Sequence, residues 1–159
     1  MGKPRGFSLI EMIVVIVILS IVGLMVFSFL GNSMASYMIV KERDRIYDEG
    51  LMAMERMTRE IKDARYVPVS YPITSVANTS VTFTRKHATP QDASTSITFR
   101  RNGNVLERVG NVSGTRVLAG NVTSFAPTIV AGKNVDLSLG LTIAGGGTLV
   151  LQSSAAARN

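Results

Sequence analysis

Hydrophobic and polar positions divide this chain into three stretches of different period. From Met12 to Leu30, nineteen residues in a row carry no charge, and most are Ile, Val, Leu, Met or Phe. A helix rises ~1.5 Å per residue, so this run covers the ~30 Å hydrocarbon core of a bilayer. Further on, Tyr47, Leu51, Met54, Met57, Ile61 and Ala64 recur at three- and four-residue steps. That spacing predicts an amphipathic helix with one buried face, with Glu55, Arg56, Arg59, Lys62 and Asp63 pointing away. From about residue 81 the period becomes two, which predicts strands.

The two helical patterns need not be separate. No Pro lies between Phe7 and Val67, so a single helix over that span is expected, stopping before Pro68. Gly23, Gly31 and Gly50 are the positions where it could bend. Between the patterns, residues 41–49 form a mixed-charge block in which Lys41 and Arg45 stand at helical spacing from Asp44 and Asp48.

In the last stretch Val81–Thr84 alternates as a strand, and His87–Ser94, with Pro90, reads as a loop. Ile97–Arg101 and Asn104–Val109 flank Asn102-Gly103, a two-residue hairpin signal that sets Phe99 opposite Leu106. The same register sets Ile97 against Arg108, so a slipped register stays open. Val117-Leu118 and Val122–Val130 suggest further strands, with Pro127 favouring an edge or a bulge. The cleanest alternation puts Val135, Leu137, Leu139, Leu141 and Ile143 on one face. A turn over Ala144–Thr148 lets Leu149 and Leu151 pair with Ile143 and Leu141. Gly145-Gly146-Gly147 lacks a following Lys-Ser/Thr and a helix, so it reads as that turn and not as a phosphate loop. The fold class expected is α+β: one long N-terminal helix whose second half packs on an antiparallel sheet. Leu51, Met54, Met57, Ile61, Leu137, Leu139 and Leu141 are the expected core.

Composition narrows the chemistry. The 159 residues suit one anchored domain, and with no Cys there is neither a disulfide framework nor a thiolate metal site. The single His, His87, has no evident partners for a metal site or a triad. No nucleophile–base pair, carboxylate dyad or metal-ligand spacing stands out, so neither an enzyme nor a cofactor is expected. Lys and Arg total 17 against 11 Asp and Glu, a formal charge of +6. Arg85-Lys86 and Arg100-Arg101 are the densest basic pairs after residue 68. On strands such neighbours alternate sides, and no aromatic platform accompanies them, so a nucleic-acid partner is not expected.

The N-terminus carries the sharpest signal. Lys3 and Arg5 precede the apolar run, which places the N-terminus on the cytoplasmic side. A plain membrane anchor would explain these features but not Glu11, a lone carboxylate at the lipid edge that is expensive unless paired. An ordinary secretory signal places its small-residue cleavage site after the apolar run, whereas the small residue here, Gly6, lies ahead of it. The string Gly6-Phe7-Ser8-Leu9-Ile10-Glu11, behind a basic leader and before an unbroken apolar run, closely resembles the type IV pilin and pseudopilin N-terminus.

That resemblance implies a membrane prepilin peptidase that cuts between Gly6 and Phe7 and methylates the Phe7 amine. It makes Glu11 the partner of a neighbouring subunit's N-terminal amine. It divides the chain into a leader (1–6), a transmembrane and filament-core helix (7–30), an amphipathic continuation (31–67) and a β-rich head (68–159). The implied setting is a single-pass inner-membrane protein with its head in the periplasm or outside the cell. Its partners are other pilins or pseudopilins, the inner-membrane assembly platform and membrane lipid. Met54–Ile61, Val117–Phe125 and the final Arg158-Asn159 are similar to J-type minor pseudopilins of type II secretion, with W-type minor pilins close in style. The function implied is structural, initiating or capping a filament for protein secretion. The alternative is a DNA-binding or adhesive minor pilin.

Overall fold

The computed structural model describes residues 6, 8–65, 73–76, 79–130 and 134–158. Lys3, Arg5, Phe7 and the expected helix stop at Val67-Pro68 lie outside the described residues. Helix α1 (Leu9–Lys62) runs unbroken through Gly23, Gly31 and Gly50. By internal contacts the chain divides into two units, Met1–Val40 and Lys41–Asn159.

In the first unit α1 is apolar on every side, and none of it is covered. All the large hydrophobic side chains from Leu9 to Val40 are exposed, the least of them Ile39 at 41%. A helix of this kind needs lipid or other helices around it.

In the second unit α1 becomes one-sided. Ile46, Gly50, Ala53, Met54, Met57 and Ile61 are buried. This corrects the expected stripe: Tyr47 and Leu51 are 45% and 48% exposed, and the buried line begins one residue earlier, at Ile46 and Gly50. The cause is a close approach. A Cβ at Gly50 would overlap Leu141 Cδ1 and stand 2.8 Å from Leu151 Cδ1. The absent side chain lets the sheet settle on Gly50, which turns Tyr47 and Leu51 outward.

The helix ends five residues earlier than expected, at Lys62. The Asp63 and Ala64 N–H groups donate to carbonyls three residues back, at 3.2 and 2.9 Å, which tightens the last turn. Ala64 then bridges to Arg85, and Arg65 N–H donates to Thr84 O at 2.8 Å, so the strand end draws the chain off the helix.

The single sheet expected is in fact two antiparallel meanders. Strands β1 (Ile73–Val76), β2 (Ser80–Thr84), β3 (Ser96–Asn102), β4 (Val105–Gly110) and β5 (Gly114–Ala119) lie in that order in one. Strands β6 (Val122–Val130), β7 (Asn134–Thr142) and β8 (Thr148–Ala156) form the other. Strand β6 meets β1, β2, β3 and β4, so the second sheet runs across the first. Pro127 lies on β6, an edge strand, where a missing N–H costs no ladder bond.

Both hairpin registers differ from expectation by two residues. In β3–β4 Asn102 faces Val105 and Phe99 faces Arg108, because the turn is centred on Gly103-Asn104 and Gly103 takes φ +59°. In β7–β8 Leu141 faces Leu149 and Leu139 faces Leu151. The connecting turn places Gly145, Gly146 and Gly147 at positive φ. A slip of two keeps every side chain on its own face, so the inward set survives. Met57 and Ile61 join Phe83, Phe99 and Leu106 of the first sheet and Phe125, Leu137, Leu139 and Leu141 of the second in one buried cluster.

The Gly50 contact gives a direct test. Leucine improves helix propensity by ~1 kcal/mol over Gly, yet overpacking a tight contact costs about 1–3 kcal/mol. Gly50→Leu should therefore lower the urea midpoint of the detergent-solubilised chain. An unchanged or higher midpoint would show that the approach is loose.

Candidate functional site

The N-terminal motif opens the helix. Ser8 precedes α1, and Glu11 N–H donates to Ser8 O at 3.1 Å and to Ser8 Oγ at 3.3 Å. Ser8 is thus the N-cap, and Ser8-Leu9-Ile10-Glu11 has the spacing of a capping box. The sequence carries this signal plainly, but the expectations above used Glu11 only as a membrane carboxylate. Glu11 is the acidic residue of the first turn, where the helix dipole favours negative charge. It is exposed among exposed apolar neighbours. Gly6 lies outside the helix, exposed, with nothing within 4 Å of a built Cβ. The bond it makes to Phe7 belongs to a residue outside the described ones.

The head holds a charge network that sequence reasoning missed. Arg108, on β4 opposite Phe99, is 1% exposed. Its Nε donates to both Glu60 carboxylate oxygens at 3.0 and 2.9 Å, its Nη1 to Ser113 Oγ at 3.0 Å, and its Nη2 to Asp92 Oδ2. Asp92 Oδ2 also accepts from Arg85 Nη1 at 3.1 Å, and Glu60 Oε1 from Arg56 Nε at 3.0 Å. One guanidinium thereby ties α1, the β2–β3 loop and β4 together. The sequence signal was parity: Leu106 and Arg108 share a face, so an inward Leu106 brings an inward cation with it.

Two features singled out as candidate chemistry are placed in structural roles. His87 Nδ1 lies 2.8 Å from Asp63 Oδ1 on the surface. Of the basic pairs, Arg85 is held by Asp92, Arg100 Nε donates to Glu107 Oε2 at 2.9 Å, and Arg101 Nε to Gly103 O at 2.8 Å. Among the described residues no group of three or more acidic or histidine side chains is placed to hold a metal.

Electrostatics follow the network. Burial works against the Asp92 charge but is outweighed by the Ser94 N–H and hydroxyl and by Arg108, which hold the carboxyl well below the ordinary aspartate range. Asn102 and Arg100 likewise hold Glu107 low.

Residues 1–27 match the family model described as the prokaryotic N-terminal methylation motif, which is characteristic of type IV pilins and pseudopilins. No curated protein and no solved structure matches this chain. The motif supports a place for the chain among type IV pilins and pseudopilins, a membrane-anchored group that is processed by prepilin peptidase and assembles with other pilins.

Asp92 supplies a pH test. Its folded value lies below the unfolded value of ~3.9, so its contribution is complete above pH ~4 and is lost as pH falls below that. Its side chain keeps 20% exposure, between an exposed pair and a fully buried one, so Asp92→Asn should cost about 2 kcal/mol at neutral pH. Urea titrations of the two chains between pH ~4 and ~2 should converge, because the wild type alone sheds this term. Parallel curves would deny Asp92 the role.

Proposed function

We propose that the chain is a structural, non-catalytic subunit of a type II secretion pseudopilus or a type IV pilus, in the minor role of initiating or capping the filament. The supporting observation is the uncovered apolar surface of α1 from Leu9 to Val40, joined to a methylation motif over residues 1–27. Such a surface is at home in lipid before assembly and among the helices of other subunits after it. The J-like and W-like segments named above favour the minor role.

In this reading residues 1–6 are a leader, and prepilin peptidase cuts between Gly6 and Phe7. Phe7 becomes the N-methylated terminus. The segment 7–30 is the membrane and filament-core helix of an inner-membrane protein, and the head over residues 68–159 faces the periplasm or the cell exterior. The assembly platform and partner pilins are the machinery it meets. Glu11 sets register: a neighbour's Phe7 amine neutralises a carboxylate that alone costs ~2.5 kcal/mol or more in lipid. The pair acts on alignment more than on net stability, since both charges give up hydration to meet. Arg85 and Arg100 are spent on internal carboxylates, which weighs against a DNA-capturing head.

Intact mass of the membrane-extracted protein should correspond to a chain starting at Phe7 with one added methyl group. A chain that keeps residues 1–6 in cells containing the peptidase would refute the reading, and Gly6→Leu should leave only precursor.

Glu11→Val should still be inserted and cut, since the anchor becomes more apolar. Its crosslinking to partner pilins should drop while the head folds normally. Unchanged crosslinking at equal cleavage would leave Glu11 with no assembly role.

A further inference from the structure

The end of α1 gathers cations that no carboxylate of the described chain takes up. A cleft of about 590 Å³ opens there, lined by Arg59, Lys62, Lys86 and Arg158 from three segments far apart in sequence. All four side chains are exposed, and none forms an ion pair among the described residues. Lys86 is the member of the Arg85-Lys86 pair left over when Arg85 goes to Asp92.

Backbone bonds hold this arrangement. Lys86 N–H donates to Asp63 O at 2.8 Å, and Arg158 N–H to Lys62 O at 3.3 Å. They satisfy carbonyls of the kind that a helix leaves open at its C-terminal end. They also fix the chain after β2 and the chain after β8 against the end of α1. The adjoining Ala64 and Ala157 are buried. The closure of the fold therefore brings the cations together.

Two carboxylates share the cleft with them, Glu55 and Asp63. Asp63 is already engaged, with Oδ1 2.8 Å from His87 Nδ1 and Oδ2 3.7 Å from Arg85 Nε. Glu55 pairs with neither Arg59 nor Lys62. Four Lys and Arg side chains against two carboxylates leave positive charge for an incoming anion.

The donors decide which anion fits. Phosphate sites draw on backbone N–H groups, at a helix N-terminus or in a nest. Here the helix presents its C-terminal end, where the dipole disfavours anions. The Lys86 and Arg158 N–H groups are already spent on carbonyls. Recognition falls to long side chains from three segments, with Glu55 in the same wall. That suits carboxylates spaced along a chain, each met by its own cation, better than one compact group of high charge. The volume lies within the ~300–1,000 Å³ range of ligand pockets.

We propose that this cleft binds an acidic polypeptide segment of a partner protein, its carboxylates paired with Arg59, Lys62, Lys86 and Arg158. The site lies wholly in the second unit and does not depend on the filament reading.

A fluorescent tetraglutamate peptide, capped at both ends, is the probe for the full-length chain in detergent, read by anisotropy at low salt. Saturable binding that weakens as salt rises is expected. Lys62→Glu with Arg158→Glu should weaken it about tenfold or more, because like charges then face each other. The same variant should gain affinity for tetralysine, which misfolding would not produce. Both side chains are exposed and the bond between these residues is a backbone one, so circular dichroism should stay unchanged. Lys41→Glu with Arg116→Glu makes the same change in net charge at exposed positions outside the cleft, and should leave the affinity within about twofold. An equal loss in that control, or no saturable binding by the wild type, overturns the inference. Glutarate binding as tightly as the peptide makes the ligand a free dicarboxylate and overturns it too. So does inorganic phosphate displacing the peptide at lower concentration than glutarate does. Self-association of the wild type that Lys62→Glu with Arg158→Glu abolishes seats a second copy in the cleft and overturns it as well. None of these outcomes bears on cleavage after Gly6.

Discussion

Neither sheet closes a core without the face of α1 that begins at Ile46. The first meander offers Phe83, Ile97, Phe99 and Leu106, the second Leu137, Leu139 and Leu141, and the helix residues Met57 and Ile61 are buried in the same cluster. A head of this size has little interior to spare, and the helix supplies part of it. The same helix is uncovered from Leu9 to Val40, where it has no sheet to serve. One continuous element thus meets two solvents, and its sequence changes from apolar all round to apolar on one side accordingly.

The helix–sheet contact is also polar at one place, and there the pairing is demanding. Arg108 is buried with its nitrogens directed at Glu60, Asp92 and Ser113. Burying a guanidinium is neutral at best, but removing one of its partners is expensive, so the network penalises every packing that puts Glu60 or Asp92 elsewhere. It specifies how the end of α1 lies on the first sheet, a task that interchangeable aliphatic contacts around Met57 and Ile61 perform poorly.

What was legible in advance was local. The N-terminal signature needs six consecutive residues with their basic and apolar flanks and no tertiary contact, and strand alternation over Val135–Leu141 needs only period two. What was not legible depended on residues far apart in the chain. The buried line on α1 moved by one position because Gly50 meets Leu141 and Leu151, about ninety residues on or more. Hairpin registers slipped because glycine conformation decides where a turn is centred. The faces held because the slips were even. The role of Arg108 could not be separated from general basicity, since its partners Glu60 and Asp92 lie 48 and 16 residues away. Sequence spacing set Lys41 and Arg45 beside Asp44 and Asp48, whereas Arg45 pairs with Glu42 and Glu49 instead.

Ser8 caps α1, and its position fixes what processing would alter. Among the described residues, the hydrogen bonds that open α1 run from Ser8 onward, beyond the proposed cut after Gly6. In the proposed processing, Lys3 and Arg5 leave with residues 1–6. Drawing the uncut helix outward drags two cations into hydrocarbon, at ~2.5–3.5 kcal/mol each by insertion scales. On the proposed reading the leader is a latch of charge: its two cations hold the helix in the bilayer, and one hydrolysed bond would release it.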